Sequence, residues 1–341
     1  MADTLAPDPL TLAGWTPFRA GWCAGRMVVD WCRLGERRLT EPFFYESVAL
    51  AMTRPFNMAF QRRTEAGILA RLPPGLRPSG FIFHMTRCGS TLAAQILAAS
   101  PRNIVVSEAA PLQAALQADR HGPASAERCA AWFGGLVNAY GQTRHAGQAR
   151  LFIKFSATDL FSLERILRAF PDVPWLFLYR DPAEILASLA RQPGDAFMRG
   201  AIPPEALGLD PADLFALPRA GYRARCLAAF GRLALGHPRR DLGLFLRHDD
   251  LPGALLTRMT THFGIVPDAE EAGLMQAAAA RNAKRPGLAY RDDRVEKRSE
   301  GAHWIEGAEA ILGPVLAALD AARARADGLL EDKRPLPACG A

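Results

Sequence analysis

The chain has no cysteine pair set close enough to clip a metal. Its six cysteines, Cys23, Cys32, Cys88, Cys129, Cys226 and Cys339, are widely separated, with no CxxC and no Cys/His spacing suited to zinc. Reduced, structural thiols are therefore the expectation, with no metal site. No segment runs long enough without charge to span a bilayer, and the opening MADTLAPDPLTLAGW carries two aspartates and no basic region ahead of an apolar core. A cytoplasmic, soluble protein is expected. Nor is there a basic block interleaved with aromatics of the kind that grips nucleic acid. The 41 Lys+Arg against 35 Asp+Glu leave +6, carried mostly by scattered arginines, which suits small anionic ligands better than a nucleic-acid partner. Internal repeats are missing as well.

What is there begins with bulk. At 341 residues and 49% hydrophobic content the chain can bury a substantial core, enough for one main domain with a smaller appendage. Residues 1–75 hold the Trp- and Arg-rich segment GWCAGRMVVDWCRLGERRLTEPFFYESVALAM and end at the breaker RLPPGLRPSG, so a mostly helical N-terminal cap is expected. Its aromatics, Trp22, Trp31, Phe43, Phe44 and Tyr45, read as packing residues, with a lid or substrate-facing surface as the alternative.

From Phe81 short apolar runs alternate with helical stretches. That is the pattern of a doubly wound α/β domain, a parallel sheet flanked by helices, over residues 80–327. The strand candidates are FIFHM, NIVVSE, RLFIKF, WLFLYRD and GLFLRHD. Residues 191–218, rich in Pro and Gly, predict a long loop or short helices over the site. An amphipathic helix is expected from Ile305 to about Ala326, followed by a disordered tail at 328–341.

The stretch FIFHMTRCGSTLAAQIL predicts strand, tight turn and helix start. Such a turn cradles anions, because first-turn N–H groups lack intrahelical acceptors and the helix dipole favours negative charge. It differs from the usual ATP loop: His84 stands where a glycine is usual, and Gly89-Ser90-Thr91 ends the loop without lysine. The N–H groups from Cys88 to Leu92, the hydroxyls of Ser90 and Thr91 and the arm of Arg87 could converge on one anion, with Gly89 allowing close approach. An ordinary capped turn is the bland alternative.

In WLFLYRDPAEILASL a strand ends at Arg180, Pro182 opens a helix, and Ser188 follows about two turns on. Arg180 at a strand end is placed to fork onto a phosphate. A surface Arg180–Asp181 pair is one alternative. The other makes Asp181 a Mg2+ ligand, as in NTP-hydrolysing enzymes.

Together the two motifs resemble the sulfotransferase family, which uses 3'-phosphoadenosine 5'-phosphosulfate. The resemblance covers roughly residues 80–265, on a P-loop-type fold. TRCGSTL is similar to that family's 5'-phosphosulfate loop, with Arg87 in the basic place, and Arg180…Ser188 is similar to its 3'-phosphate site. Glu108 in NIVVSEAAP falls where tyrosylprotein-type members carry the base, and Lys154 in LFIKFSATDLF falls where those relatives carry a strand-end lysine. The resemblance thus implies a donor nucleotide and an unidentified acceptor, with Glu108 as general base and Lys154 as stabiliser of the leaving oxygen. Glu108 as a helix N-terminal residue and Lys154 as a solvated strand-end residue stay open beside it.

There are departures. Neither the histidine base nor the Arg-Lys-Gly motif of the steroid and phenol enzymes is evident. Lys297 and Arg298 in RDDRVEKRSEG are the nearest C-terminal candidates for the nucleotide, against a solvated charge run. Two other functions remain: a Mg-ATP kinase or NTPase using Asp181, and a non-catalytic nucleotide-binding protein of the same fold.

Overall fold

The aromatic and β-branched residues of WTPFRAGWC and RMVVDWCR make β1 (Trp15–Cys23) and β2 (Arg26–Arg33), which pair antiparallel with Cys23 opposite Arg26. Between them Ala24 and Gly25 both take positive φ, 47° and 75°, the two-residue turn whose twist matches a hairpin. Helices α1 (Phe44–Met52) and α2 (Pro55–Ala59) follow, and β3 (Arg62–Glu65) then pairs with β2. Residues 1–75, expected to be mostly helical, are thus corrected: a three-stranded antiparallel sheet dominates, with the two helices inserted before its last strand. The overlooked signals are the Ala-Gly turn and the β-branched and aromatic content of MVVDW. Trp22 and Trp31 pack as expected. The Trp22 indole donates to the Ala118 carbonyl (3.1 Å), and that of Trp31 to Thr64 Oγ1 (2.9 Å).

In the computed structural model the described residues are 12–192, 194, 197–289, 294–305 and 308–331. All five expected strands form: β4 (Pro78–His84), β5 (Asn103–Ser107), β6 (Arg150–Lys154), β7 (Trp175–Tyr179) and β8 (Gly243–Arg247). They make one parallel sheet in the order β5-β6-β4-β7-β8. Their unbroken apolar runs follow from burial of both faces. Every residue of β7 is wholly buried, as are Phe81–Phe83 and Leu151–Ile153.

The flanking helices are α3 (Ser90–Ala99), α4 (Ala110–Leu116), α5 (Ala118–His121), α6 (Ala126–Tyr140), α7 (Leu163–Ala169), α8 (Pro182–Arg191), α9 (Arg219–Gly236), the short α10 (Thr260–His262) and α11 (Ala269–Ala279). The 191–218 stretch carries only short 3-10 turns at 204–207 and 211–213. A two-stranded ribbon, β9 (Arg281–Asn282) and β10 (Arg285–Ala289), precedes α12 (Arg294–Ile305) and α13 (Glu309–Glu331). The last helix therefore starts later than expected and takes in residues 328–331; 332–341, also expected as tail, lie outside the described residues.

The chain divides into two units. One comprises Met1–Ile82, Thr91–Val173 and Pro267–Tyr290; the other comprises Phe83–Ser90, Pro174–Val266 and Arg291–Ala341. In the first, Phe81 meets Phe155 and Phe170 edge-on; in the second, Trp175 does the same between Phe83 and Phe245.

Candidate functional site

In the second unit the loop after β4 is pinned from below. Met85 N donates to the Leu178 carbonyl at 3.0 Å, the Cys88 thiol donates to the same oxygen at 3.1 Å, and Thr86 N donates to His84 Nδ1 at 3.0 Å. Between these anchors the backbone curls through left-handed φ at Thr86 (78°), Arg87 (51°) and Gly89 (90°). A non-glycine residue reaches that region at a cost of about 1–3 kcal/mol, tolerated where surrounding structure enforces it and clustered at ligand clamps. Gly89 has a second reason to lack a side chain: a Cβ there would lie 2.5 Å from Leu251 Cδ1. The turn ends where α3 begins at Ser90, so the amides of Ser90, Thr91 and Leu92 belong to a first helical turn with no intrahelical acceptor. Arg87 does not extend over this turn. Its guanidinium donates to the backbone oxygen (3.0 Å) and side-chain oxygen (3.3 Å) of Gln192, the C-cap of α8.

Arg180 emerges from β7 buried and is held from two sides. Its Nε donates to Glu184 Oε2 at 2.5 Å and its Nη1 to the Arg87 carbonyl at 3.3 Å, which ties the strand end to the loop. Glu184, buried one helical turn on, accepts a second arginine: Arg298 on α12 donates to Oε1 at 2.7 Å. Two cations thus share one carboxylate. Asp181 caps α8, accepting from Ala183 N at 2.9 Å, and its Oδ2 lies 3.5 Å from Arg298 Nε and 3.9 Å from Arg247 Nη2. A carboxylate committed to a helix cap between two arginines is poorly suited to Mg2+. No group of three His, Cys, Asp or Glu able to hold a metal occurs among the described residues. Ser188 sits half-buried on the second turn of α8, and Lys297 half-buried on α12 beside Arg298.

In the first unit Glu108 and Lys154 come together. Ser107 and Lys154 are register partners at the ends of β5 and β6, and Glu108 N donates to the Lys154 carbonyl at 2.7 Å. This turns Glu108 into left-handed φ (55°) and brings its carboxylate onto Lys154 Nζ as an ion pair. The lysine side chain is wholly buried, while that of the glutamate is 28% exposed, so the pair presents its carboxylate end to solvent. Lys154 is therefore not the solvated strand-end residue of the bland alternative. Glu108 stands two residues ahead of α4 and is not its N-cap, which is Ala109. Phe43 closes the ammonium side, its ring centroid 5.0 Å from Lys154 Nζ and 5.7 Å from Lys284 Nζ.

Sequence reasoning passed over several residues that build these sites. Glu184 was findable, since it lies in the first turn of the helix that opens at Pro182, only four residues after Arg180. Gln192 and Leu251 carry no such signal, because each meets its partner only through tertiary folding; Phe43 reads in sequence as a packing or substrate-facing aromatic, but its partner Lys154 does not show there.

No protein-family model matches the chain, and no curated protein does either. Among solved structures, a sulfotransferase from Alicyclobacillus acidocaldarius overlaps with a TM-score of 0.40 at 17% identity, covering 73% of this chain and 96% of that one. The sulfotransferase domain of the Synechococcus PCC 7002 olefin synthase gives 0.39 at 17%, covering 78% and 98%. A sulfotransferase from Mycobacterium avium gives 0.38 at 15%, covering 69% and 77%. These overlaps are loose and the sequences remote, so the functional reading rests on this chain's own residues.

Proposed function

We propose that the protein is a sulfotransferase that moves a sulfuryl group from 3'-phosphoadenosine 5'-phosphosulfate to an acceptor hydroxyl or amine. The observation that carries the proposal is a left-handed turn running into a helix N-terminus, whose neighbouring strand-end aspartate, Asp181, is committed to a helix cap and two arginines. Phosphoryl-transfer enzymes need that position open for metal. A sulfuryl group carries less negative charge than a phosphoryl group, so arginines, a lysine and backbone dipoles suffice.

In this reading the amides of Cys88, Gly89, Ser90, Thr91 and Leu92, with the two hydroxyls, hold the 5'-phosphosulfate. Arg87 joins them by exchanging its exposed contact with Gln192 for the anion. Arg180 and Ser188 take the 3'-phosphate, and Arg298 and Lys297 add charge from α12. The acceptor oxygen or nitrogen bonds to sulfur as the bond from sulfur to the bridging phosphate oxygen breaks. Glu108 receives the acceptor's proton, and Lys154 balances the charge left on the departing nucleotide.

Two measurements test this. Adenosine 3',5'-bisphosphate without metal should raise the melting temperature, corresponding to about 2.7 kcal/mol at a hundredfold excess over Kd. Labelled sulfate should pass from the donor into a metabolite extract. Stabilisation only by Mg-ATP would make the protein a kinase or NTPase instead, and bisphosphate binding with no transfer to any acceptor would make it a non-catalytic binder.

A further inference from the structure

Away from that machinery, within the first unit, the N-terminal hairpin and the end of α6 enclose a cavity of about 170 Å3. Its walls are mostly apolar: Leu12, Trp15, Trp31, Leu72 and Pro73 among them. The indole N–H of Trp31 is already spent on Thr64, so Trp31 offers the cavity only apolar ring surface. Trp15 is braced by the Arg62 guanidinium 4.8 Å above its ring and by Phe56 at 5.8 Å. A void near 150 Å3 accepts a molecule the size of benzene, so about 170 Å3 suits a single ring with a small head group.

Among the described residues, Arg144 is the charged one lining this space. Among the described residues its Nε and Nη2 are buried without a hydrogen-bond partner. Burial pushes its guanidinium down from the ordinary arginine range, the mark of a cation short of compensation. The titratable group beside it, Cys32, cannot supply an anion, because burial drives its thiol up to about 12. Such a charge is ordinarily paired, since removing a cation from water without a counter-ion costs several kcal/mol. The next residue, His145, faces Glu36 at 3.9 Å, and that carboxylate is 97% exposed to solvent.

We propose that this cavity binds a small organic carboxylate, its flat apolar body against Trp15, Trp31 and Pro73 and its head on Arg144. A carboxylate fits better than a phosphate. Its two oxygens match the fork of one guanidinium, whereas a phosphate dianion would leave oxygens facing apolar wall. The site is independent of the proposed sulfuryl transfer, because none of its residues belongs to the loop, the Arg180 cluster or the Glu108–Lys154 pair.

The test is calorimetric titration of the whole protein with benzoate and with its neutral isostere benzamide, with and without saturating adenosine 3',5'-bisphosphate. Benzoate should bind saturably with a millimolar or tighter Kd, benzamide at least about tenfold more weakly, and the bisphosphate should leave both unchanged. Arg144→Gln should remove the preference for benzoate, while Arg144→Lys should keep part of it. No saturable benzoate binding, equal affinity for the two ligands, or undiminished benzoate binding in Arg144→Gln would each overturn the proposal. The benzoate–benzamide comparison decides the matter in the unmodified protein should Arg144→Gln not fold.

Discussion

At the scale of single residues, the buried lysine and its half-open glutamate make the sharpest claim. Glu108→Gln keeps the side chain's shape and its contact with Lys154 but removes the proposed proton acceptor. Transfer should fall by about 10²–10⁴-fold while bisphosphate affinity stays within twofold of about its original value. A variant that loses binding and turnover together would show instead that Glu108 only holds the fold. Asp159, which caps the 3-10 turn after β6 by accepting from Ser156 N at 2.9 Å, gives a separate prediction. Burial above all, and then the neighbouring Glu108, raises its carboxyl to about 7. Between its ordinary value and about 7 the folded protein keeps a proton that the unfolded chain has lost, so this residue's contribution to stability declines as pH rises through that window. Asp159→Asn can still accept from Ser156 without carrying charge. Its melting temperature should therefore gain on the parent between about pH 5 and about pH 8, and a gap that does not widen toward the higher pH would contradict the raised carboxyl.

At the scale of elements, legibility followed locality. The five strands were readable because each is a continuous apolar run bounded by turn residues. The hairpin of β1 and β2 was not, because its aromatics fit a helix face as well as a strand until Ala24-Gly25 is recognised as its turn. The role of α12 was equally hidden. RVEKRSEG has the composition of a solvated run, yet Gly301 lets that helix lie so close to α8 that an added Cβ would sit 2.0 Å from the Ala183 carbonyl oxygen. That approach brings Arg298 within reach of Glu184, a contact no local pattern announces. Gly301→Ala should therefore push the two helices apart. Expected is a loss of about 1–3 kcal/mol in denaturant unfolding, the range for overpacking, with a weaker bisphosphate affinity beside it. If stability falls with affinity intact, Arg298 contributes nothing to the nucleotide.

At the scale of the whole molecule, the question is how a net charge of +6 would serve the proposed polyanionic ligand. Much of the arginine content is spent on neighbouring carboxylates: Arg63 on Asp30, Arg165 on Asp119, Arg247 on Asp320 and Arg323 on Asp250. What survives at long range is a weak field, and the Debye length shrinks it from about 30 Å at 0.01 M salt to about 8 Å at 0.15 M. In the proposed site the buried Arg180 acts on the 3'-phosphate at contact distance, where salt screens little. The two contributions should then separate kinetically. Raising salt over that range should slow bisphosphate association several-fold and leave dissociation nearly constant, whereas Arg180→Ala should speed dissociation by about tenfold or more, in line with 1.5–3 kcal/mol for a charge-assisted contact. Stopped-flow binding at both salts distinguishes them. Were Arg180→Ala to slow association and spare dissociation, Arg180 would be part of the steering field only, and the strand end of β7 would lose its place as the 3'-phosphate seat.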